Sequence, residues 1–190
     1  MMRIITGTAK GVKLATLSGD NTRPTSERAK EAVFSMLQFD LAGRRVLDLF
    51  SGSGQMGLEA LSRGAAKAVL VDKEKAAVEI ITQNATKARL LDRAEIRRAD
   101  ALSYLSGYQG DPFHLVFLDP PYALGLIPKC LTLLSSRQLL TPGAVVVCEA
   151  GTREAVFDGD ETLAARFHVL RESRYGVAFV TLISPKQEGC

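Results

Sequence analysis

The segment that most narrows the choice of fold is Val46-Leu47-Asp48-Leu49-Phe50, followed at once by Ser51-Gly52-Ser53-Gly54-Gln55-Met56-Gly57. The first five residues form an apolar run interrupted by one acid, the pattern of a strand buried on both faces. The glycines then turn the chain into a helix that runs through Arg63 and stops at Gly64. Strand, glycine turn and helix open a βαβ unit, and the rest of the chain keeps that alternation. Ala68–Asp72 is the second predicted strand, ahead of a helix from about Lys75 to Leu90. Glu95–Asp100 is the third, ending in an acid with a short helix behind it, and Phe113–Phe117 the fourth. Ala123–Ser135 reads as helical despite Pro128, and Ala144–Cys148 is the fifth strand, after a Thr141-Pro142-Gly143 turn. Phe167–Leu170 and Val177–Leu182 close the chain as a pair so near in sequence that they must be antiparallel.

The residues ahead of this alternation have a different character. Arg3–Thr6 and Val12–Thr16 alternate around Gly7–Gly11 as a small hairpin. A polar loop leads to a helix capped by Ser26, with Pro24 just outside and Ala29, Val33, Phe34 and Leu37 on one face. The division this suggests is an extension over 1–40 and an α/β domain over 41–190. Residues 1–45 hold eight Lys/Arg against four Asp/Glu (+4), whereas 46–190 hold sixteen against seventeen (−1). Arg3, Lys10, Lys13, Arg23, Thr25 and Arg28 are therefore candidate contacts to a polyanion, Arg23 and Arg28 flanking a helix N-terminus suited to phosphate. Charge alone reads equally as a solvated basic face.

The chemistry concentrates in Asp119-Pro120-Pro121-Tyr122, directly after the fourth strand. Two prolines stop a strand abruptly, since neither can donate to a ladder and each fixes its φ. That leaves a carboxylate and stiff carbonyls at the strand's carboxyl end, where open α/β sheets bind ligands. The exocyclic amine of a nucleobase is a poor nucleophile because its lone pair is delocalised into the ring. Asp119 and the Pro120 carbonyl can accept its two hydrogens and favour the positive charge that develops as nitrogen attacks carbon. Tyr122 can stack on the base once it is flipped out. The bland alternative is a tight strand-ending turn.

Gly52-x-Gly54-x-x-Gly57 also fits the dinucleotide fingerprint, which would make the chain a nicotinamide oxidoreductase. Asp48 argues against a pyrophosphate there and for a cationic ligand: the ammonium or sulfonium of S-adenosylmethionine. Asp72 ends the second strand where ribose hydroxyls would lie, and Asp100 the third, where it can accept from adenine. One cofactor over strands one to three and a base at strand four account for all four acids.

Asp48-Leu49-Phe50-x-Gly52-Ser53-Gly54-x-x-Gly57-Leu58-Glu59-Ala60-Leu61, Arg23-Pro24-Thr25-x-x-Arg28-x-x-Glu31 and Asp119-Pro120-Pro121-Tyr122 together resemble the motifs of the RsmD family, in the same order and spacing. These are 16S rRNA guanine-N2 methyltransferases. Ser51, Gln55 and Met56 stand where smaller residues are usual, and Asp72 where Glu is frequent. The resemblance implies a Rossmann-like class I methyltransferase with a seven-stranded, mostly parallel sheet and an antiparallel last strand. It implies S-adenosylmethionine held by Asp48, Phe50, Gly52, Ser53, Gly54, Gly57, Asp72, Lys73, Asp100 and Ala101. Asp119, Pro120, Pro121 and Tyr122 would be catalytic, and the substrate guanine 966 of small-subunit rRNA, naked or in an assembling particle. A DNA adenine-N6 or protein-amide methyltransferase, or a cofactor-less RNA-binding protein, would share parts of this pattern.

The remaining bounds are simple. The chain has 190 residues, 46% hydrophobic and 24% charged, enough for one core. Cys130, Cys148 and Cys190 suggest neither a disulfide framework nor a metal knuckle, and His114 and His168 lack ligand partners. No run reaches transmembrane length. A cytoplasmic monomer without a metal is the expectation.

Overall fold

The apolar runs become seven strands: β1 (Arg45–Asp48), β2 (Lys67–Asp72), β3 (Ala94–Arg98), β4 (Phe113–Leu118), β5 (Leu140–Ala150), β6 (Phe167–Tyr175) and β7 (Ala178–Pro185). This is a computed structural model, and it describes residues 2–17, 24–37 and 41–186, with the backbone alone over 24–29. The strands join in one sheet of order β3-β2-β1-β4-β5-β7-β6. β1 pairs in parallel with β2 and β4, β2 with β3, and β4 with β5. β7 enters antiparallel between β5 and β6. The fold is Rossmann-like, with the predicted antiparallel strand in place. The order reverses between β1 and β4, and at such a switch point the carboxyl ends of the strands open a crevice.

Helices cover both faces. α1 (Pro24–Met36), α2 (Gln55–Ser62) and α3 (Lys75–Lys87) share one core cluster with β1, β2, β4, β5 and β7, built around Leu58, Leu61, Leu70, Ile81, Leu115 and Phe117. On the other face, α4 (Ala101–Gly107), α5 (Leu126–Ser136) and α6 (Glu161–Ala164) pack with Leu47, Val69, Val116, Leu118 and Val146. β1 and β4 are buried on both faces, which is why their sequences are continuously apolar. β3 and β6 lie at the edges and carry most of the exposed strand residues.

The N-terminal segment is docked onto this sheet. Met2, Ile4, Ala9 and Leu14 join the α1–α3 core cluster. Glu59 of α2, fully buried, accepts from the Ile5 and Thr6 amides at 2.7 and 3.0 Å and from Arg63 Nε at 2.8 Å. Lys30 of α1, also buried, stands 3.7 Å from Glu59 and donates to the Arg3 carbonyl. Gly7 lies so close that a Cβ there would stand 1.8 Å from the Ser62 carbonyl oxygen. Asn84 of α3 joins the Ala15 backbone to the Ser53 carbonyl.

Several expectations are corrected. The leading hairpin is present, its arms joined by the antiparallel Arg3–Lys13 bridge and by the Ile4 and Leu14 amides donating to the Val12 and Met2 carbonyls, but the arms are too short to be strands. α1 is helical from Pro24, two residues before the expected cap Ser26, as proline's fixed φ permits in a first turn. The helix expected over Ala123–Ser135 divides at Gly125, whose φ of 55° separates a 3₁₀ turn (Tyr122–Leu124) from α5. Pro142 and Gly143 lie within β5, where the register to β4 shifts, so the expected turn is an irregularity in a longer strand. β3 ends at Arg98, and Asp100 instead caps α4 by accepting from the Ser103 amide.

Candidate active site

The carboxyl edge of β1, β4 and β5 gathers the acids. Asp48, at the end of β1, is 4% exposed, and its Oδ2 accepts from the Gly57 amide at 3.0 Å. Gly57 is the third residue of α2, whose own N-cap, Gly54, has no side chain, so a strand carboxylate satisfies a helix amide from outside. Asp72 closes the same loop, Oδ2 accepting from the Gly52 amide and Oδ1 from the Glu74 amide, both at 2.9 Å. The Gly52 and Gly57 amides are thus committed to carboxylates, and two acids so close to the loop disfavour a pyrophosphate there. Gly57 also needs its missing Cβ, which would lie 2.8 Å from Leu70 Cδ2. Burial, with Asp72 adding like charge, pushes the Asp48 carboxyl up to about 7. A site that crowds carboxylates in this way favours a cation.

Asp119 follows β4 directly. Its side chain reaches solvent through the cleft, but protein closes around the carboxyl, and desolvation followed by the Glu149 and Asp48 charges raises it well above the usual carboxylate range. Glu149 of β5 is raised as well, chiefly by burial, although the Tyr122 hydroxyl donates to its Oε1 at 3.0 Å. Tyr122 itself is 45% exposed, and Gly151 makes room for its ring: a Cβ there would stand 2.9 Å from Tyr122 Cδ2. Asp119, Glu149, Lys30 and Gln55 line one small pocket of about 70 Å³, with Met56, Phe117 and Val180. The buried Gln55 Oε1 has no hydrogen-bond partner among the described residues. Two open clefts of about 610 and 600 Å³ lie at the amino edge of the strands, away from these acids.

The remaining site expectations fall as follows. Pro120 is buried, and Pro121 is exposed ahead of the 3₁₀ turn. Phe50 packs against the core beside β1, and Ala101 is buried at the start of α4. Lys73 and Asp100 are exposed at the same edge. Ser53 points away from it: its hydroxyl meets Met2 Sδ at 3.0 Å. Arg3, Lys10 and Lys13 are exposed, but the turn holding Lys10 packs on Ser62 at the C-terminal end of α2, and Lys87 at the end of α3 donates to the Lys13 carbonyl. Lys10 and Lys13 are therefore at the opposite ends of these helices from the acids. Arg23 lies outside the described residues, and so do the side chains of Thr25 and Arg28. Sequence reasoning passed over Glu149 and gave Glu59 no task. The only trace of Glu59 was an acid inside the apolar Leu58–Leu61 run.

A family profile described as conserved hypothetical protein 95 matches residues 2–184. The ribosomal RNA small subunit methyltransferase D of Escherichia coli K12 is 32% identical over 99% of this chain and 92% of its own length. The protein of the same name from Haemophilus influenzae is 35% identical over 78% of each. The solved structure of yhhF from Escherichia coli superposes with a TM-score of 0.83 at 31% identity, covering 97% of this chain and 98% of that one. With the sheet order, the committed glycine loop and the Asp119–Tyr122 edge on the same frame, the chain belongs to the RsmD methyltransferase family.

Proposed function

We propose that this protein methylates the exocyclic N2 amine of a guanine in small-subunit rRNA, guanine 966, with S-adenosylmethionine as methyl donor. The observation that carries the reading is the acidic edge itself, where buried Asp48 and the Asp119–Glu149 pair favour a cation and offer acceptors to an amine. When bound, S-adenosylmethionine supplies a methyl carbon made electrophilic by its sulfonium. Asp48 would hold the cofactor's ammonium, Asp72 its ribose and Asp100 its adenine, with the glycine loop beneath it. Asp119 and the Pro120 carbonyl would hold the two N2 hydrogens and bind the developing ammonium more tightly than the neutral amine. As the N–C bond forms the S–C bond breaks, the sulfur departs as a neutral thioether, and the methylated nitrogen then gives up one proton to solvent. Tyr122 stacks on the flipped base. The pocket is too small for a whole purine, so it takes the base edge and leaves the ring against the exposed tyrosine. The extension over 1–40 contributes Arg3, Lys10, Lys13, Arg23, Thr25 and Arg28 as the grip on rRNA phosphates, with Arg23 and Arg28 nearest the helix start.

The experiment is transfer of a labelled methyl group to small subunits, or to their free 16S rRNA, from a strain lacking this enzyme, followed by nucleoside analysis. Labelled N2-methylguanosine at one position is the expected product. Label on adenine N6 or on a protein amide would replace this reading with its alternative, and unlabelled RNA would overturn it.

A further inference from the structure

Glu149 adds to the acidic edge but has been given no contact of its own to the base, although it stands beside Asp119. β4 and β5 are parallel neighbours with Leu118 opposite Cys148, so the next residue on each, Asp119 and Glu149, occupy matching positions. Strands so paired lie about 4.8 Å apart, and side chains at matching positions point to the same face. Both carboxylates line the same pocket. Glu149 Oε1 accepts from the Tyr122 hydroxyl, and Oε2 accepts from no donor among the described residues.

An aspartate and a proline carbonyl alone would hold the amine of adenine, cytosine or guanine equally well. Guanine differs from the other RNA bases in presenting two donor groups side by side, the N1–H and the N2 amine. Adenine and cytosine set a ring acceptor beside their amine, and uracil has no amine. We propose that Glu149 Oε2 accepts the guanine N1–H while Asp119 and the Pro120 carbonyl take the two N2 hydrogens, so that Glu149 selects guanine. The inference rests on the function proposed above. A ring acceptor in place of N1–H would put a lone pair against a carboxylate in a partly closed pocket, which sites built for a donor reject strongly.

The test uses rRNA substrate carrying 2-aminopurine at the target position. This base keeps the N2 amine and replaces N1–H by an acceptor. Wild-type enzyme should favour guanine by about tenfold or more in kcat/KM. In Glu149→Gln the amide oxygen still accepts from Tyr122 and the amide nitrogen can donate to the 2-aminopurine ring, so the preference should shrink at least about tenfold. Tyr122→Phe, which keeps the carboxylate, should slow both substrates and retain the preference. Equal losses on both bases in Glu149→Gln, or loss of preference in Tyr122→Phe, would show that Glu149 only holds the tyrosine and would overturn the inference. If the wild type methylates neither base, the rRNA reading fails and takes this one with it, an outcome distinct from an unchanged ratio in an active enzyme.

Discussion

A strand end offers few groups, and in the function proposed above Asp119 is the one that senses charge on the reacting nitrogen. Its removal should therefore act on the chemical step. Asp119→Ala is expected to lower kcat by roughly 2.7–4 kcal/mol of transition-state stabilisation, by analogy with loss of one oxyanion-hole donor, and to leave S-adenosylmethionine affinity unchanged in titration calorimetry. Gly151 is a subtler residue-scale constraint. An added Cβ meets the Tyr122 ring at 2.9 Å, closer than carbon atoms approach, so the ring must move. Gly151→Ala should lower kcat/KM for RNA about tenfold or more, since small misplacements of a substrate-positioning group are costly. Cofactor affinity measured in parallel should hold; a matching loss there would mean the ring serves the cofactor. That Asp119 and Tyr122 stand together at the end of β4 was legible because the tetrapeptide is contiguous. Glu149 was not, because its proximity to Asp119 comes from the β4–β5 register and 30 residues separate them in the chain.

At the scale of elements, the alternation of apolar runs and helices predicted the parallel strands to within a few residues. Strands buried on both faces leave that continuous signal, whereas β6, exposed along most of its length, leaves little. The way the leading segment is held was not visible. It depends on Glu59, whose partners Ile5, Thr6 and Lys30 are brought to it only by tertiary packing. Glu59→Ala would leave two amides without their acceptor and remove the Glu59 charge from beside buried Lys30. Breaking such a pair from one side costs about 3–5 kcal/mol. Urea unfolding should show that loss, with Glu59→Gln, which keeps an acceptor for the amides, losing less. A stability change within about 0.5 kcal/mol, the range of ordinary surface substitutions, would mean that this carboxylate does not tie the segment down.

The whole molecule carries the consequence of collecting acids at one edge. In the unfolded chain Asp48 titrates near 3.8; in the folded protein burial moves it to about 7. Between those pH values the folded chain keeps a proton that the unfolded chain has released, so stability falls as pH rises from about 4 to about 7 and levels off above. The full penalty is about 4 kcal/mol for this one group. Asp119 and Glu149 are raised too and act with the same sign. Glu95 and Asp100 are lowered, by the Lys67 ion pair and the Ser103 amide respectively, so their contribution is lost on acidification and opposes the trend. A variant comparison isolates Asp48 from this mixture. The carboxamide of Asp48→Asn would keep an oxygen for the Gly57 amide but could not ionise. That variant should be more stable than wild type at pH 8, with the gap narrowing toward pH 4.5. It should also bind S-adenosylmethionine poorly, because the charge that destabilises the free protein is the one we propose for the cofactor's ammonium. Urea midpoints that run parallel for the two proteins across that range would show that Asp48 is ionised at little cost, and the acidic edge would lose its claim to be organised around a cation.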